Sequence, residues 1–159
     1  MKKTQLVIFD LDLTLWTASG TWIDCTYQPY IKKQGKVFDR YGTEIYLYPD
    51  VKNIINELHQ YQIPIAIASR TDSPPNAREA LKLLGIIDDF DYFEIYPGSK
   101  VTHFKKLQIK SGIDYTNMVF FDDELRNIRE VSDLGVRSVY VEEGLSYSLF
   151  INSISLTKS

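Results

Sequence analysis

Short runs of consecutive apolar residues alternate along the chain with segments in which apolar residues recur every three or four positions. The first pattern predicts strands covered on both faces, and the second predicts amphipathic helices. The five predicted strands are residues 6–9 (LVIF), 64–68 (PIAIA), 92–96 (YFEIY), 118–121 (MVFF) and 138–141 (SVYV). Because helical patterns separate these strands, the sequence predicts an α/β fold with a doubly wound parallel sheet.

The helical segments carry start and stop residues. Asp50 precedes an apolar helical stripe and is predicted as its N-cap, while Ser73-Pro74 predicts the start of a second helix that ends at Gly85. Three further helices are predicted after Lys100, Asp123 and Gly144.

One segment interrupts this alternation. Residues 16–48 show no clear helical pattern and are rich in Tyr, Trp, Thr and Gly. Within them we predict a hairpin of Val37–Asp39 and Glu44–Tyr48 around a turn at residues 40–42, preceded by a flap. Since no repeat, linker or low-complexity segment is evident, we expect residues 1–159 to form a single domain with this insertion.

Composition narrows the classes of function. The chain has 159 residues, of which 44% are hydrophobic and 25% charged, with a net charge of -3. This acidic balance and the lack of a lysine and arginine stripe argue against a nucleic-acid or anionic-lipid partner. No apolar run approaches the length of a membrane span, and the N-terminus lacks the pattern of a secretory leader.

Cys25 is the single cysteine, so an internal disulfide cannot form. The lack of a disulfide fits a reducing compartment, so we expect a cytoplasmic protein, and a nuclear location is also compatible with this argument. Cys25 also lacks the arginine that a catalytic thiolate of the cysteine-dependent phosphatase type needs six positions later, because Ile31 occupies that position. No thiol mechanism of that kind is expected. The sequence does not determine the oligomeric state, and we expect a monomer.

Polar side chains follow four of the predicted strands. Asp10 and Asp12 come at the end of the first strand, and residues two apart project from the same face of an extended chain. The others are Ser69, Lys100, Asp122 and Asp123. Because ligands of open α/β sheets bind beyond the carboxyl ends of the strands, we expect these side chains to share one site.

Clustered carboxylates of this kind favour a hard cation, and Mg²⁺ commonly takes one or two carboxylates plus phosphate oxygens. Beside such an ion, Asp10 can attack phosphorus and form an aspartyl-phosphate, while Asp12 can protonate the leaving oxygen and then activate water. Ser69 and the backbone N–H of Leu11 can donate to phosphate, and Lys100 can neutralise negative charge. The constellation predicts phosphoryl transfer.

The motifs FDLDLT, AIASRT, Lys100 and FFDDE resemble those of the haloacid dehalogenase superfamily of phosphatases. More closely, FDLDLTLW, YPDV, ASRT, EIYPGSKVTHF and FFDDELRNI resemble its small eukaryotic-type magnesium-dependent phosphatases, which lack a large cap domain. The resemblance runs from about Leu6 to about Gly144.

This resemblance implies roles for individual residues. Asp10 would be the nucleophile and a magnesium ligand, Asp12 the acid/base and a ligand through its backbone carbonyl, and Asp123 the third ligand. The residues that would hold the phosphate are Leu11, Ser69, Arg70 and Lys100, while Thr14 would orient the nucleophile loop. The implied substrates are phosphotyrosine-type esters and sugar phosphates, including glycated ones. The substrate would therefore be a phosphorylated small molecule or a phosphoprotein.

The fourth motif departs from the commoner superfamily form. Phe121 stands where a glycine is usual, and Asn127 lies where a later acid would be. This leaves open whether Asp122 or Asp123 contacts the metal. We favour Asp123, with Asp122 positioning Lys100 or a water.

Two other functions are compatible with some of these features. A non-catalytic phosphoacceptor domain of receiver type also uses an acidic pair, an acceptor Asp, a Ser/Thr and a Lys. The motif order differs, however, and Asp12 favours turnover over storage of a phosphoryl group. A polynucleotide end phosphatase is disfavoured by the acidic net charge.

The two tryptophans are open to two interpretations, whereas the two histidines are not expected to contact the substrate. Trp16 and Trp22 either attach the flap to the core, or Trp22 lines the substrate entrance. His59 is expected on the solvent side of its helix. His103 is expected to be a surface or supporting residue rather than a substrate contact, and two histidines without metal-ligand spacing argue against zinc.

Overall fold

The computed structural model describes residues 2–156. Five parallel strands form the main sheet, in the spatial order β7-β6-β1-β8-β9. Their bounds are β1 Leu6–Phe9, β6 Ile65–Ser69, β7 Tyr92–Ile95, β8 Met118–Asp122 and β9 Arg137–Tyr140. All five predicted strands are present, and no strand end differs from its prediction by more than one residue.

Five helices cover the two faces of this sheet. They are α1 Val51–Gln60, α2 Pro74–Leu83, α3 Lys100–Ser111, α4 Leu125–Ser132 and α5 Tyr147–Ser153. Val7 and Phe9 pack in the hydrophobic cluster that includes α1, α2 and α5, whereas Leu6 and Ile8 pack with α3 and α4. Since alternate residues of β1 enter opposite clusters, the doubly wound α/β fold is confirmed.

Between β1 and α1 lies a smaller antiparallel sheet with the order β2-β5-β4-β3. Its strands are β2 Trp16–Ala18, β3 Ile31–Lys33, β4 Lys36–Phe38 and β5 Glu44–Leu47. The predicted hairpin corresponds to β4 and β5. The segment before it, predicted only as a flap, contributes the two further strands, since β2 pairs with β5 and β3 pairs with β4.

The turn between β4 and β5 is held by one carboxylate. Asp39 accepts hydrogen bonds at Oδ1 from the backbone N–H groups of Tyr41 and Thr43, and at Oδ2 from that of Tyr27. These bonds lower the pKa of Asp39 even though burial opposes the change. Asp39 therefore attaches the hairpin to the chain that precedes it.

The two predicted helix caps were only partly correct. Asp50 and Ser73 do precede α1 and α2, but neither side chain makes a capping hydrogen bond. Asp50 instead accepts from the backbone N–H of Tyr147, at 2.9 Å, which ties the start of α1 to α5. Within residues 2–156, no helix is both long and apolar enough to cross a membrane.

Candidate active site

Asp10 lies directly after β1, and its two carboxylate oxygens have different partners. Lys100, the first residue of α3, donates to Oδ1 at 2.8 Å, and the hydroxyl of Thr14 donates to Oδ2 at 3.2 Å. Lys100 also donates to Asp122 at 2.5 Å and is completely buried. Burial alone would lower the pKa of Lys100, but the charges of Asp10 and Asp122 raise it, so the ammonium group stays charged.

Asp122, the last residue of β8, directs its carboxylate into the protein. Oδ2 accepts from Lys100 and from the side-chain amide of Asn127 at 3.0 Å, while Oδ1 accepts from the backbone N–H of Glu124 at 2.8 Å. The residue has no exposed surface. Asp122 therefore holds Lys100 and the start of α4 in place.

Asp123 is half-buried and lines the adjacent cleft. Burial raises the pKa of Asp123 to about 9, and the neighbouring Asp10 carboxylate adds to the rise. Oxygens of Asp10, Asp122 and Asp123 lie within 4.8 Å of one another. Such closely spaced carboxylates repel unless a cation or a proton lies between them, so this is a donor set suited to a hard divalent ion.

Asp12 is held by two hydrogen-bond donors, one on β2 and one in the short turn between β2 and β3. Its Oδ1 accepts from the indole N–H of Trp16 at 2.9 Å and from the backbone N–H of Ile23 at 2.8 Å. Burial raises the pKa of Asp12 to about 7, although these hydrogen bonds oppose the rise. A carboxyl group with such a pKa can give and take protons near neutral pH.

The loop between Asp10 and Thr14 is tightly closed on itself. The backbone carbonyl of Leu11 accepts from the N–H groups of Thr14, Leu15 and Trp16, at 3.1, 2.9 and 3.2 Å. The Leu11 side chain is fully buried. Any contact of Leu11 with a ligand therefore comes from its backbone.

Ser69 and Arg70 mark the carboxyl end of β6. The Ser69 hydroxyl accepts from the backbone N–H of Thr71 at 3.3 Å, and its residue is only 2% exposed. Arg70 donates to the side-chain oxygen of Asn127 at 3.0 Å. Since Asn127 also donates to Asp122, it joins the end of β6 to the end of β8.

A cleft of about 200 Å³ opens at this edge of the sheet. Of the side chains that the sequence assigned to the site, it is lined by Asp10, Asp12, Ser69, Arg70, Lys100 and Asp123. Leu11 is not among the lining residues. The structure thus brings together six of the seven candidate residues through their side chains, as expected from the shared edge of the strands.

Five lining residues were not assigned by sequence: Asp24, Thr71, Glu124, Arg126 and Asn127. Asp24 accepts from the hydroxyl of Thr71 and from the backbone N–H of Asp72, which connects the insertion to the end of β6. No motif marks Asp24, because it lies in a short 3-10 turn within residues 16–48. Asn127 had a usable signal, since it is a polar residue on the first turn of the helix after the acidic pair.

The two tryptophans have different surroundings. Trp16 is completely buried and donates to Asp12, which fits the interpretation that it attaches the insertion to the core. Trp22 is 53% exposed and lines the cleft. His59 is exposed, as expected, whereas His103 is fully buried, which excludes the surface position and leaves the supporting role of the two that were predicted.

Comparison with solved structures supports the same fold. A structure described as an uncharacterized protein from Listeria monocytogenes serotype 4b has a TM-score of 0.69 at 22% identity, and covers 90% of this chain and 83% of its own. L-2-haloacid dehalogenase from Xanthobacter autotrophicus has a TM-score of 0.64 at 12% identity, with 94% and 81% covered. Both likenesses show the fold alone.

Sequence relatives are considerably closer. The chain is 43% identical over 144 residues to magnesium-dependent phosphatase 1 of Homo sapiens, covering 89% of this chain and 80% of the relative. It is 44% identical over 145 residues to a HAD-like hydrolase superfamily protein of Schizosaccharomyces pombe, with 83% and 82% covered. The family model described as acid phosphatase matches residues 2–158. The chain therefore belongs to the acid phosphatase family, within the haloacid dehalogenase superfamily.

Proposed function

We propose that this protein is a magnesium-dependent phosphomonoester hydrolase that works through an aspartyl-phosphate on Asp10. The observation that carries the proposal is the position of Asp10, which is held by Lys100 and Thr14 at the edge of a cleft that also contains Asp12 and Asp123. The phosphatase names of the curated relatives support the same class of reaction.

The residues present fit a magnesium ion. Three carboxylates converge, and one of them, Asp122, has all of its oxygens bonded by protein donors. Asp10 and Asp123 would therefore supply the carboxylate ligands, with the backbone carbonyl of Asp12 as the further ligand implied by the family. Bound magnesium would supply positive charge that lets the carboxylates and a phosphate group approach one another.

The positions of the side chains support the following reaction. The Asp10 carboxylate attacks phosphorus, the bond from phosphorus to the leaving oxygen breaks, and Asp12 gives that oxygen its proton. Water then attacks phosphorus, Asp12 takes the proton, and the bond between phosphorus and Asp10 breaks to release inorganic phosphate. Lys100 offsets the negative charge of the Asp10 carboxylate that it contacts, and with Ser69 it holds the phosphate oxygens.

Two further groups complete the proposed phosphate site. The backbone N–H of Leu11 donates to a phosphate oxygen, in keeping with the tight loop in which it lies. The guanidinium group of Arg70 lines the cleft and is oriented by Asn127, so it can add a charge-assisted hydrogen bond.

For the substrate we propose phosphate esters with a flat leaving group, of the phosphotyrosine type or sugar phosphates, including glycated ones. Trp22 carries this proposal, because its exposed indole borders the cleft and both an aryl ring and a sugar face stack on indole. Trp22→Ala is expected to raise KM for aryl and sugar phosphates more than for a small alkyl phosphate. Equal changes for all three esters would contradict this role.

The reaction class is tested with para-nitrophenyl phosphate. Wild type should hydrolyse it with magnesium and lose activity in excess EDTA, and Asp10→Asn should be inactive in both conditions. Asp88→Asn is the matched control, because Asp88 is an exposed aspartate in the turn after α2, and it should behave as wild type. Activity that survives Asp10→Asn would contradict the proposal, while stable labelling of wild type without turnover would indicate a receiver-type phosphoacceptor.

A further inference from the structure

His103 lies on the first turn of α3 and is completely buried. Its Nε2 is 3.0 Å from the carbonyl oxygen of Ser69 and 2.8 Å from that of Tyr96. Its Nδ1 is 3.0 Å from the carbonyl oxygen of Ser99. Because carbonyl oxygens only accept hydrogen bonds, a hydrogen on Nε2 serves the two carbonyls of β6 and of the loop after β7 together.

An aromatic partner fixes the orientation of this imidazole. The ring of Tyr96 stacks on it with centroids 4.2 Å apart and an angle of 7° between the planes. The Tyr96 hydroxyl donates to the buried carboxylate of Glu94 at 2.8 Å, and Glu94 also accepts from Lys110 at 2.6 Å. The ammonium group of Lys106 lies 4.7 Å from the centre of the Tyr96 ring. The imidazole is therefore held from one face as well as at its edge.

The three carbonyls that His103 contacts belong to the two segments that carry phosphate-binding groups. Ser69 ends β6, and its carbonyl oxygen also accepts from the backbone N–H of Tyr96 at 3.1 Å. Ser99 is the N-cap of α3 and immediately precedes Lys100. A single buried ring thus spans the junction between the Ser69 strand end and the Lys100 helix start.

We propose that His103 is a positioning residue that sets where the Ser69 hydroxyl lies relative to the Lys100 ammonium group. This relative placement in turn sets the affinity for phosphate. The inference rests on the proposed function, in which both groups hold phosphate oxygens. His103 does not line the cleft, so it acts through these neighbours and not by touching substrate.

Three substitutions separate positioning from bulk packing. His103→Phe keeps an aromatic ring against Tyr96 but removes both nitrogens. His103→Gln keeps an amide donor near the position of Nε2, while His103→Asn keeps one near the position of Nδ1 only. His59→Phe is the matched control, because His59 is exposed and its imidazole hydrogen-bonds the backbone carbonyl of Asp89, away from the cleft.

The readout is the dissociation constant of inorganic phosphate, measured by calorimetry with magnesium present on variants whose folded fraction is confirmed by circular dichroism. Loss of a well-placed donor set is expected to weaken binding about tenfold in His103→Phe and His103→Asn. His103→Gln should stay within about threefold of wild type, and His59→Phe should match it. If His103→Phe does not fold, the contrast between the Gln and Asn variants tests the same point.

A double variant, His103→Phe with Ser69→Ala, tests whether His103 affects phosphate binding through Ser69. If His103 acts through Ser69, its substitution by Phe should weaken phosphate binding much less in the Ser69→Ala background than in wild type. Folded His103→Phe with wild-type affinity, additive effects of the two substitutions, or a Gln variant as impaired as Phe would each overturn the inference. A wild type that does not bind phosphate with magnesium would instead contradict the proposed function.

Discussion

Asp122 and Asp123 are adjacent in the chain, yet their carboxylates have different surroundings. Asp122 points into the protein and is bonded by Lys100, Asn127 and the backbone of Glu124, whereas Asp123 lines the cleft near Asp10. The sequence left open which of the two contacts the metal, because the missing glycine removed the usual guide to their order, although it favoured Asp123. Side-chain alternation at the end of β8 explains the difference.

Asn127 tests how far Arg70 depends on this network. Asn127→Leu preserves the approximate volume but removes the bonds to Arg70 and Asp122, so KM for a phosphate ester should rise about tenfold. Steady-state kinetics on para-nitrophenyl phosphate measures the change. Asn56→Leu, in the exposed part of α1, is the control, and an unchanged KM in Asn127→Leu would show that Arg70 does not need this support.

His103 also predicts a pH dependence of stability. Burial lowers the pKa of His103 below its ordinary value of 6.5, and the charge of Lys100 acts in the same direction. The folded state then binds fewer protons than the unfolded state, so the stabilising contribution is complete above pH 6.5 and is lost as the pH falls through the window below it.

Urea unfolding between neutral and mildly acidic pH measures this effect as a difference. The loss of unfolding free energy on acidification should be smaller in His103→Gln than in wild type. Taking the difference between the two proteins removes the contribution of the carboxylates that titrate in both. Equal losses in the two proteins would contradict the assignment of this pH dependence to His103.

Among the elements, β2 and the short turn that follows it hold Asp12. The indole of Trp16, on β2, and the backbone of Ile23 both donate to that carboxylate. The sequence predicted only the hairpin of β4 and β5, because prediction depends on alternating apolar positions within a run. Strands β2 and β3 have only three residues each, so their own sequence carries little periodic signal. β2 forms by pairing with the distant β5, and β3 by pairing with the adjacent β4.

A glycine fixes the approach of the final loop to this sheet. Gly144 has a φ of +80°, and a Cβ at that position would overlap the ring of Tyr48. The next residue, Leu145, donates its backbone N–H to the carbonyl of Thr14 at 2.9 Å, and Thr14 in turn bonds Asp10. The close approach therefore supports the nucleophile loop.

We expect Gly144→Ala to lower the free energy of unfolding by about 2–4 kcal/mol, from backbone strain plus steric overlap. Gly42→Ala is the matched control, because Gly42 has a φ of +86° and a Cβ added there would meet no atom within 4 Å. That variant should lose only about 1 kcal/mol, from backbone strain alone. Urea denaturation of both variants measures the difference. Equal losses would show that contact with Tyr48 is not limiting.

For the whole molecule, the order of the strands explains why the site forms where it does. The order reverses at β1, which has β6 on one side and β8 on the other, and the residues after these three strands line the cleft. The parallel sheet and this convergence were predictable, because buried parallel strands are continuous apolar runs with polar residues at one edge. Contacts such as Asp24 with Thr71, or Arg70 with Asn127, were not, since they join segments that are far apart in sequence.

Phosphorylation of Asp10 can be detected with the variant Asp12→Asn, mixed with 2,4-dinitrophenyl phosphate and magnesium. This leaving group needs no proton, so Asp10 can attack, but the intermediate lacks the base that activates water. We expect a burst of dinitrophenolate equal to the enzyme concentration, and conversion of residue 10 to homoserine after borohydride reduction, detected by mass spectrometry. Absence of a burst, or reduction at another residue, would contradict phosphorylation of Asp10.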